Sequence, residues 1–594
     1  MKKSVHVISW TFAFWIALGQ WVLAQDRVLT GSVRSTTDQM PVPGANIAVK
    51  GKNRGTVTDS EGKFSLPLPS GDIVVVVSSV GFKRLEIPVG SKSSIEILLE
   101  EDQSLLSEVV VTASAIEREK KTLGYAVTNL KNADFTKASE SNMLRSLQGR
   151  IAGVQISGAS GAAGGATRVV IRGAQSFNGN NQPIYVVDGV IISNNNTTTS
   201  AGTGGDLNNG VDIANRATDI DPNNVESISV LKGPAAAALY GSQAASGAII
   251  ITTKNNSKNG PRSQISLNAA WTFDTPLRLP DFQNTFGNGF DGKYEVQNNV
   301  SWGPKMDGRM VSNWRTEGLV ANGLQAEQDS VAFVPYKNNV RDFFQTGVTR
   351  NLSLSMMGHS ATSNYSMTIS NVNQTSMIPH TSYQRTSLNL GAGTSLFDNK
   401  VRASFSAIYT NSGGDRGVQG QGRSNILQTI YNTPRNVSLV DQKNYNDPRY
   451  DLDNYYLAGF RNNPYWLLDN NLLTDNVNRI LGNAQITYTP LSWLTFTYRA
   501  GADIFSDYRK QKFAKGTIGL VDGRYVEDNT LSKNFLSDFI VTINRDITPD
   551  LNARLILGHN LQDNNTSRSV ADGQPLIVPN FYDLSNVTTT VNTL

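Results

Sequence analysis

The chain of 594 residues contains no cysteine. Disulfides, thiolate zinc sites, a cysteine nucleophile and a lipid anchor on an N-terminal cysteine are all excluded by that absence. Histidine is nearly as scarce: His6, His359, His380 and His559 show no HExxH or other close ligand spacing, so a histidine metal cluster has no local basis. Charge is sparse as well. Charged residues make up 17% of the chain and the net charge is +4, too weak a balance to imply a nucleic-acid partner. No Ser/His/Asp order, paired-carboxylate motif or cofactor fingerprint stands out, so neither an enzyme nor a bound cofactor is expected. The glycine cluster from Ser157 to Gly165 lacks the lysine and following Ser/Thr that a phosphate loop requires.

What the chain does have is glycine and tyrosine, 51 and 19 residues, which suits β-rich, turn-rich structure. Residues 1–24 read as a secretory signal: Lys2 and Lys3, an apolar stretch broken by Ser9, Thr11 and Gly19, and Val22-Leu23-Ala24 before the cleavage point at Gln25. The apolar stretch is too short for a membrane anchor. Residues 25–100 give short strand signals at roughly ten-residue spacing, the pattern of a small β-sandwich. A turn from Asp59 to Gly62 should join two strands and send Phe64 and Leu66 inward; Asp59 and Glu61 read as a solvated turn rather than a metal pair.

Residues 101–121 form a linker in which EVVVTA, Glu108 to Ala113, is a β-branched run in polar surroundings. It is either the last strand of the sandwich or an isolated strand without a partner. Residues 122–256 alternate helix, strand and glycine turn, the pattern of a mixed α+β domain. A helix carrying Met143, Leu144, Leu147 and Ile151 is expected behind Ser139 and Ser141, and Asp188-Gly189 should close a tight hairpin. Asp221-Pro222 should open a short helical turn, and Gly233-Pro234 an alanine-rich helix closed by Gly241. Around the hairpin, Ala174 to Asn209 reads as a long flexible loop.

From 257 to 594 the texture becomes dyad alternation with aromatic residues, as in Ile265 to Phe273, Leu352 to Met356, Val401 to Tyr409 and Leu551 to Leu557. Long polar loops separate these runs, for instance Asn411 to Arg423 and Val440 to Asp453. Alternating strands with long loops on one side fit an antiparallel transmembrane β-barrel. Ile486 and Tyr488, then Leu494, Phe496 and Tyr498, read as a hairpin turned at Pro490. The stretch after Lys254 has room for about nine to twelve strands, against about 22 in the largest barrels with a filled lumen. An incomplete barrel, and an N-terminal portion of a larger protein, is therefore expected.

Four phrases in this order resemble the plug domain of the SusC/RagA family of TonB-linked outer-membrane transporters: LQGRIAGVQI from Leu147, RVVIRG from Arg168, PIYVVDGV from Pro183, and DIDPNNVESISVLKGPAAAALYGSQAASGAIIITTK from Asp219. Residues 25–100 resemble the carboxypeptidase-regulatory-like domain that precedes such plugs. NPYWLLDN from Asn463 and the run from Arg479 to Phe505 resemble the family's barrel. The resemblance implies a TonB box at Glu108, Val109, Val110, Val111 and Thr112, a strand offered to the inner-membrane TonB energy-coupling complex. It further implies a chain lodged in outer-membrane lipid with its N-terminal domain in the periplasm. The function implied is import of oligosaccharides or peptides with a SusD-like surface lipoprotein, plug loops facing the substrate side. The alternatives are a passive or adhesive outer-membrane protein, or a non-functional truncated transporter.

Overall fold

A computed structural model describes residues 27–593, except 37–38, 53, 69–72, 80–81, 91, 101–108, 112–116, 120–126, 137–139, 159–160, 178–180, 195–209, 255–262, 322, 326–329, 419–424, 448, 450–459 and 549–550. The signal segment at 1–24 and part of the loop expected at Ala174 to Asn209 lie outside the described residues. The chain divides into two compact units, one N-terminal and one comprising nearly everything beyond residue 124.

The N-terminal unit holds strands β1 (Arg27–Ser35), β2 (Asn46–Val49), β3 (Gly55–Val57), β4 (Lys63–Leu68), β5 (Val74–Ser78), β6 (Leu85–Pro88) and β7 (Ser94–Leu99). They form two sheets, ordered β4-β1-β7 and β3-β2-β5-β6. Strict alternation in β4 buries Phe64, Leu66 and Leu68 against Leu29, Val33, Ile47, Val75 and Val77. Phe64 lies across from Gly31, where a Cβ would come within 2.8 Å of the ring. The turn between β3 and β4 is closed by Asp59, whose Oδ1 accepts from the amides of Glu61 and Lys63, both at 2.9 Å, so the carboxylate serves its own loop.

Strands β8 (Val109–Val111) and β9 (Glu117–Glu119) pair with each other in a sheet separate from both sandwich sheets.

The second unit starts with a plug of seven strands: β10 (Val127–Lys131), β11 (Val154–Gly158), β12 (Thr167–Ile171), β13 (Ile184–Val187), β14 (Val190–Ile192), β15 (Val225–Leu231) and β16 (Ala248–Thr253). Five of them form a sheet ordered β10-β15-β16-β13-β14, and β11 pairs with β12 alone. Asp188 and Gly189 take φ of 47° and 90°, as the two-residue β13–β14 turn demands. Asp221 caps the 3₁₀ turn Pro222–Asn224 by accepting from the Asn223 amide, and Gly233 and Gly241 bracket the helix Pro234–Tyr240. The helix expected from Met143 to Ile151 is a single turn, Met143–Ser146, capped by Asn142 rather than by a serine. Beyond it the backbone bonds run three residues back, as from Gln148 to Arg145, and Gly149 turns left-handed; Leu147 and Ile151 are buried all the same.

The remaining chain is a ten-stranded antiparallel wall. Its first strand is β17 (Ser263–Asp274); β18 (Met310–Ser312) and β19 (Ser330–Ala332) pair in the long loop after it. The wall continues through β20 (Gly347–His359), β21 (Ser363–Thr375), β22 (Ser382–Leu396), β23 (Val401–Gly417) and β24 (Leu472–Leu491). It ends with β25 (Leu494–Phe513), β26 (Arg524–Thr548), β27 (Leu551–Leu576) and β28 (Val587–Thr593). Each strand pairs with the next and β17 does not meet β28, so among the described residues the wall is an open, incomplete barrel. No helix among the described residues is long and apolar enough to cross a membrane. The wall strands, up to 26 residues long, exceed the 9–11 or so that a tilted strand needs to span hydrocarbon.

Alternation sorts the wall's faces. On β20, Leu352, Leu354 and Met356 are 36–41% exposed while Asn351, Ser353 and Ser355 are at most 7% exposed, so apolar residues point outward and polar ones inward. Turns at one end are short, residues 360–362, 397–400 and 492–493; loops at the other are long, notably 275–346 and 418–471.

Three details differ from the sequence-based expectation. Asn411 to Gly417 continues β23 instead of opening a loop, because Ser412 and Arg416 face inward and bond the plug. NPYWLLDN is a helix, Pro464–Asn470, capped by Asn463 and packed among the long loops. Pro490 lies within β24 at a register shift, and the turn itself is Ser492-Trp493.

Because the N-terminal unit has its own core, residues 25–100 excised should give the dispersed spectrum of a folded domain by NMR. Phe64→Ala should lower that domain's unfolding free energy by about 3–5 kcal/mol in a denaturant titration.

Candidate functional site at the seam of plug and wall

The most heavily constructed region of the molecule is the seam where plug meets wall. Arg216, Arg385, Arg416 and Arg499 are among its largest fully buried side chains. Fully buried guanidinium groups persist only if paired and hydrogen-bonded, and here one arrangement recurs. At Arg479 and Arg416 a wall arginine is gripped by an acid on the same face of the wall and donates onward to plug backbone, whereas the acid beside Arg385 belongs to the plug.

Arg479 of β24 donates from Nε to Asp503 Oδ1 of β25 at 2.7 Å and from Nη2 to Oδ2 at 2.9 Å. Its Nη1 then reaches the plug carbonyl of Arg216 at 2.6 Å and Asp219 Oδ2 at 3.4 Å. Arg416 of β23 repeats this: Nε donates to Asp475 Oδ1 at 2.6 Å and Nη1 to the Ala163 carbonyl at 2.9 Å. Arg385 of β22 donates through Nη1 to the carbonyls of Thr218 at 2.7 Å and Ser141 at 3.1 Å, with Nη2 at 3.5 Å from Asp221. Arg499 of β25 is held by Gln485 and Asp538 and lies against the hairpin turn, where a Cβ on Gly189 would come 2.5 Å from Nη1. Glycine at that position therefore serves both the positive φ and the close approach.

Other wall residues complete the grip. Ser412 Oγ donates to Asp219 Oδ1 at 2.8 Å and Thr410 Oγ1 to the Asp219 carbonyl at 3.1 Å. Asn534 Nδ2 donates to the Ile191 carbonyl at 2.8 Å, and Asp503 Oδ2 accepts from the Ser193 amide at 3.0 Å. The hairpin carboxylate of Asp188 accepts from the Thr253 amide and hydroxyl, and from Ser406 Oγ of the wall at 3.2 Å. Burial raises its pKa above the usual carboxylate range, against the opposing pull of those hydrogen bonds and the Arg499 charge.

Of the residues singled out at 108–112, Val109, Val110 and Val111 form β8, while Glu108 and Thr112 lie outside the described residues. The seam arginines and aspartates were not anticipated from sequence. A detectable signal existed: an Arg or Asp standing where small polar residues occupy the alternate positions of a wall strand.

Two family descriptions match. Residues 29–111 match the CarboxypepD_reg-like domain and residues 119–248 the TonB-dependent Receptor Plug Domain. The chain is 29% identical over 391 residues to the TonB-dependent receptor SusC of Bacteroides thetaiotaomicron, covering 65% of this chain and 34% of that protein. It is 28% identical over 494 residues to the TonB-dependent receptor P39 of Formosa agariphila, covering 82% of this chain and 41% of that one. It thus spans well under half the length of these relatives. In fold it is similar to the RagAB peptide importer in its open-open state, with a TM-score of 0.62 and 19% identity over 82% of this chain and 53% of that chain.

The seam geometry predicts an asymmetry between single and double substitutions. Arg479→Met strands Asp503 in a buried site and should weaken plug seating by about 3–5 kcal/mol, read as faster protease cleavage within the plug. Arg479→Met with Asp503→Leu should recover much of that loss, since no buried charge is left unpaired. A double variant as labile as the single one would show that the pairing is not what the seam depends on.

A CarboxypepD_reg-like domain, a TonB-dependent receptor plug domain and a β-wall, in that order, make this chain similar to the SusC/RagA-type TonB-dependent receptors of the outer membrane.

Proposed function

We propose that this chain supplies the plug and part of the wall of an active importer for large nutrients, oligosaccharides or peptides. Coupling runs through Glu108 to Thr112 as a TonB box, and a SusD-like lipoprotein acts as the surface partner. The observation that carries the reading is the seam: a plug with its own sheet seated against a wall, with wall arginines bonded to its backbone carbonyls. Such contacts can be broken and remade without covalent change, as a displaceable stopper requires. An adhesive protein needs neither a stopper nor a strand ahead of it. β8 pairs with β9 in a sheet apart from the sandwich, which supports a segment that exchanges this one short ladder for a partner's strand by backbone pairing. The domain limits 25–100, 101–121, 122–256 and 257–594 belong to the same reading.

Proline at Val110 fixes φ and removes a backbone donor, so it should break an added strand while side-chain swaps of similar β-propensity are tolerated. In cells, Val110→Pro should abolish energised uptake and leave substrate binding at the surface unchanged. The excised segment 28–115 should melt at the same temperature with and without the substitution. Undiminished uptake by the proline variant would rule out the box; a lowered melting temperature would assign Val109 to Val111 to the sandwich core instead.

A further inference from the structure

The wall's inner face is of two kinds. From β24 to β26 it carries arginine and aspartate, in the pairs Arg479–Asp503, Arg499–Asp538 and Arg509–Asp507. The buried face of β20 and β21 carries no carboxylate, lysine or arginine among the described residues; it presents Asn351, Ser353, Ser355, Ser366, Thr368 and Ser370. Register places these in rows, with Ser353 opposite Ser370 and Ser370 opposite Ser387 of β22, while Thr368 faces Asn389.

Two further observations fall on the same neutral strip. Asn351 Oδ1, Ser370 Oγ and Asn389 Oδ1 are buried and meet no hydrogen-bond partner among the described residues, although each lies on a different one of the adjoining strands β20, β21 and β22. Unpaired buried polar atoms are costly in a dry, packed contact, so a row of them marks a face that takes up hydroxyls or amides from outside the protein. Directly above, at the long-loop end of β17, β20 and β21, is a cavity of about 240 Å³ between plug and wall. Thr272, Thr349 and Gln374 line it from the wall, and Glu140, Arg145 and Gly164 from the plug. Against β20 and β21 the plug is held by the Gly164 amide donating to Gln374 Oε1 at 3.3 Å, whereas β22, β23 and β24 hold it with Arg385, Arg416 and Arg479.

We propose that the neutral strip of β20 and β21, with Ser387 and Asn389 of β22 at its edge, entered through this cavity, is the passage along which an extended, uncharged chain rich in hydroxyl or amide groups crosses the wall. The plug swings away from this strip and stays attached on the arginine side. The inference rests on the importer reading and adds to it a route and a ligand chemistry. A strip of Ser, Thr and Asn offers donors and acceptors at short intervals without a charge strong enough to arrest the chain, while the Arg/Asp side is closed by its own pairs.

The absence of cysteine makes the test direct. Ser353→Cys, Ser370→Cys and, on the charged side, Ser532→Cys each place a lone, nearly isosteric thiol in the seam; Thr368→Cys and Asn534→Cys are the reserve pair should any of these fail to reach the outer membrane. Cells expressing each variant are treated with a small cationic methanethiosulfonate reagent, with and without dissipation of the proton-motive force. The expected result is labelling of Ser353→Cys and Ser370→Cys that is faster by on the order of tenfold in energised cells, with Ser532→Cys unchanged. Energy-dependent labelling at Ser532→Cys with the neutral strip silent would overturn the route and leave the importer intact. No energy-dependent labelling at any position would overturn the importer reading and the route with it.

Discussion

The structure depends on buried guanidinium groups that belong to the wall and are spent on the plug. An arginine in a membrane protein's interior is stable only if its desolvation is offset by a carboxylate and its remaining donors are used. The wall supplies the carboxylate itself, as with Arg479 and Asp503 or Arg416 and Asp475, so the charge is already neutralised before the plug arrives. The plug then offers mainly carbonyl oxygens, at Ala163, Arg216 and Thr218, together with the carboxylates of Asp219 beside Arg479 and Asp221 beside Arg385. This division has a physical consequence. At Arg416 and Arg479 departure of the plug leaves the charge paired on the wall, with donors that water can satisfy, whereas Arg385 parts from the plug's Asp221 and is the costlier point of the seam.

Much of the fold is legible in the sequence wherever local chemistry decides the outcome. Asp188-Gly189 can hardly be anything but a tight turn, Asp221 caps the 3₁₀ turn that Pro222 opens, and the dyad alternation from Ile265 or Val401 gives the wall strands and their outward apolar face. Where tertiary contact decides, the sequence misleads. Met143, Leu144, Leu147 and Ile151 have helical spacing and are all buried, yet the helix capped by Asn142 runs only to Ser146, after which three-residue backbone bonds and the left-handed Gly149 take over. Asn411 to Gly417 has loop composition and is strand because β24 pairs it throughout.

The seam itself was the least legible part, for a different reason. Its pairs join residues far apart in the chain: Arg479 lies 263 positions from Arg216, and Arg385 lies 167 from Thr218. Periodicity reports which face of a strand a residue occupies but not what stands opposite. An arginine on an inward face is a sign that a carboxylate is near, and the nearest inward aspartate on the adjoining strand is the residue to test first.

A contiguous set of contacts links the segment ahead of the plug to the arginines. Among the described residues, strand β10 is the edge of the plug sheet and pairs only with β15, so a pull arriving at Val127 loads that ladder. Just beyond β10, Asn132 Nδ2 donates to the carbonyls of Pro222 and Val225, at the start of β15. Pro222 comes directly after Asp221, the residue beside Arg385, and Thr218 and Asp219, which Arg385 and Arg479 hold, lie within the same short stretch. The edge ladder has half-buried side chains and five paired residues, whereas the stretch from Arg216 to Asp221 is buried and multiply bonded to the wall. Under load the weaker element yields first, so β10 should part from β15 while the arginine-held stretch stays seated. On the proposed importer reading, a stopper built this way is expected to open from its N-terminal edge and keep its hinge on the charged side of the wall.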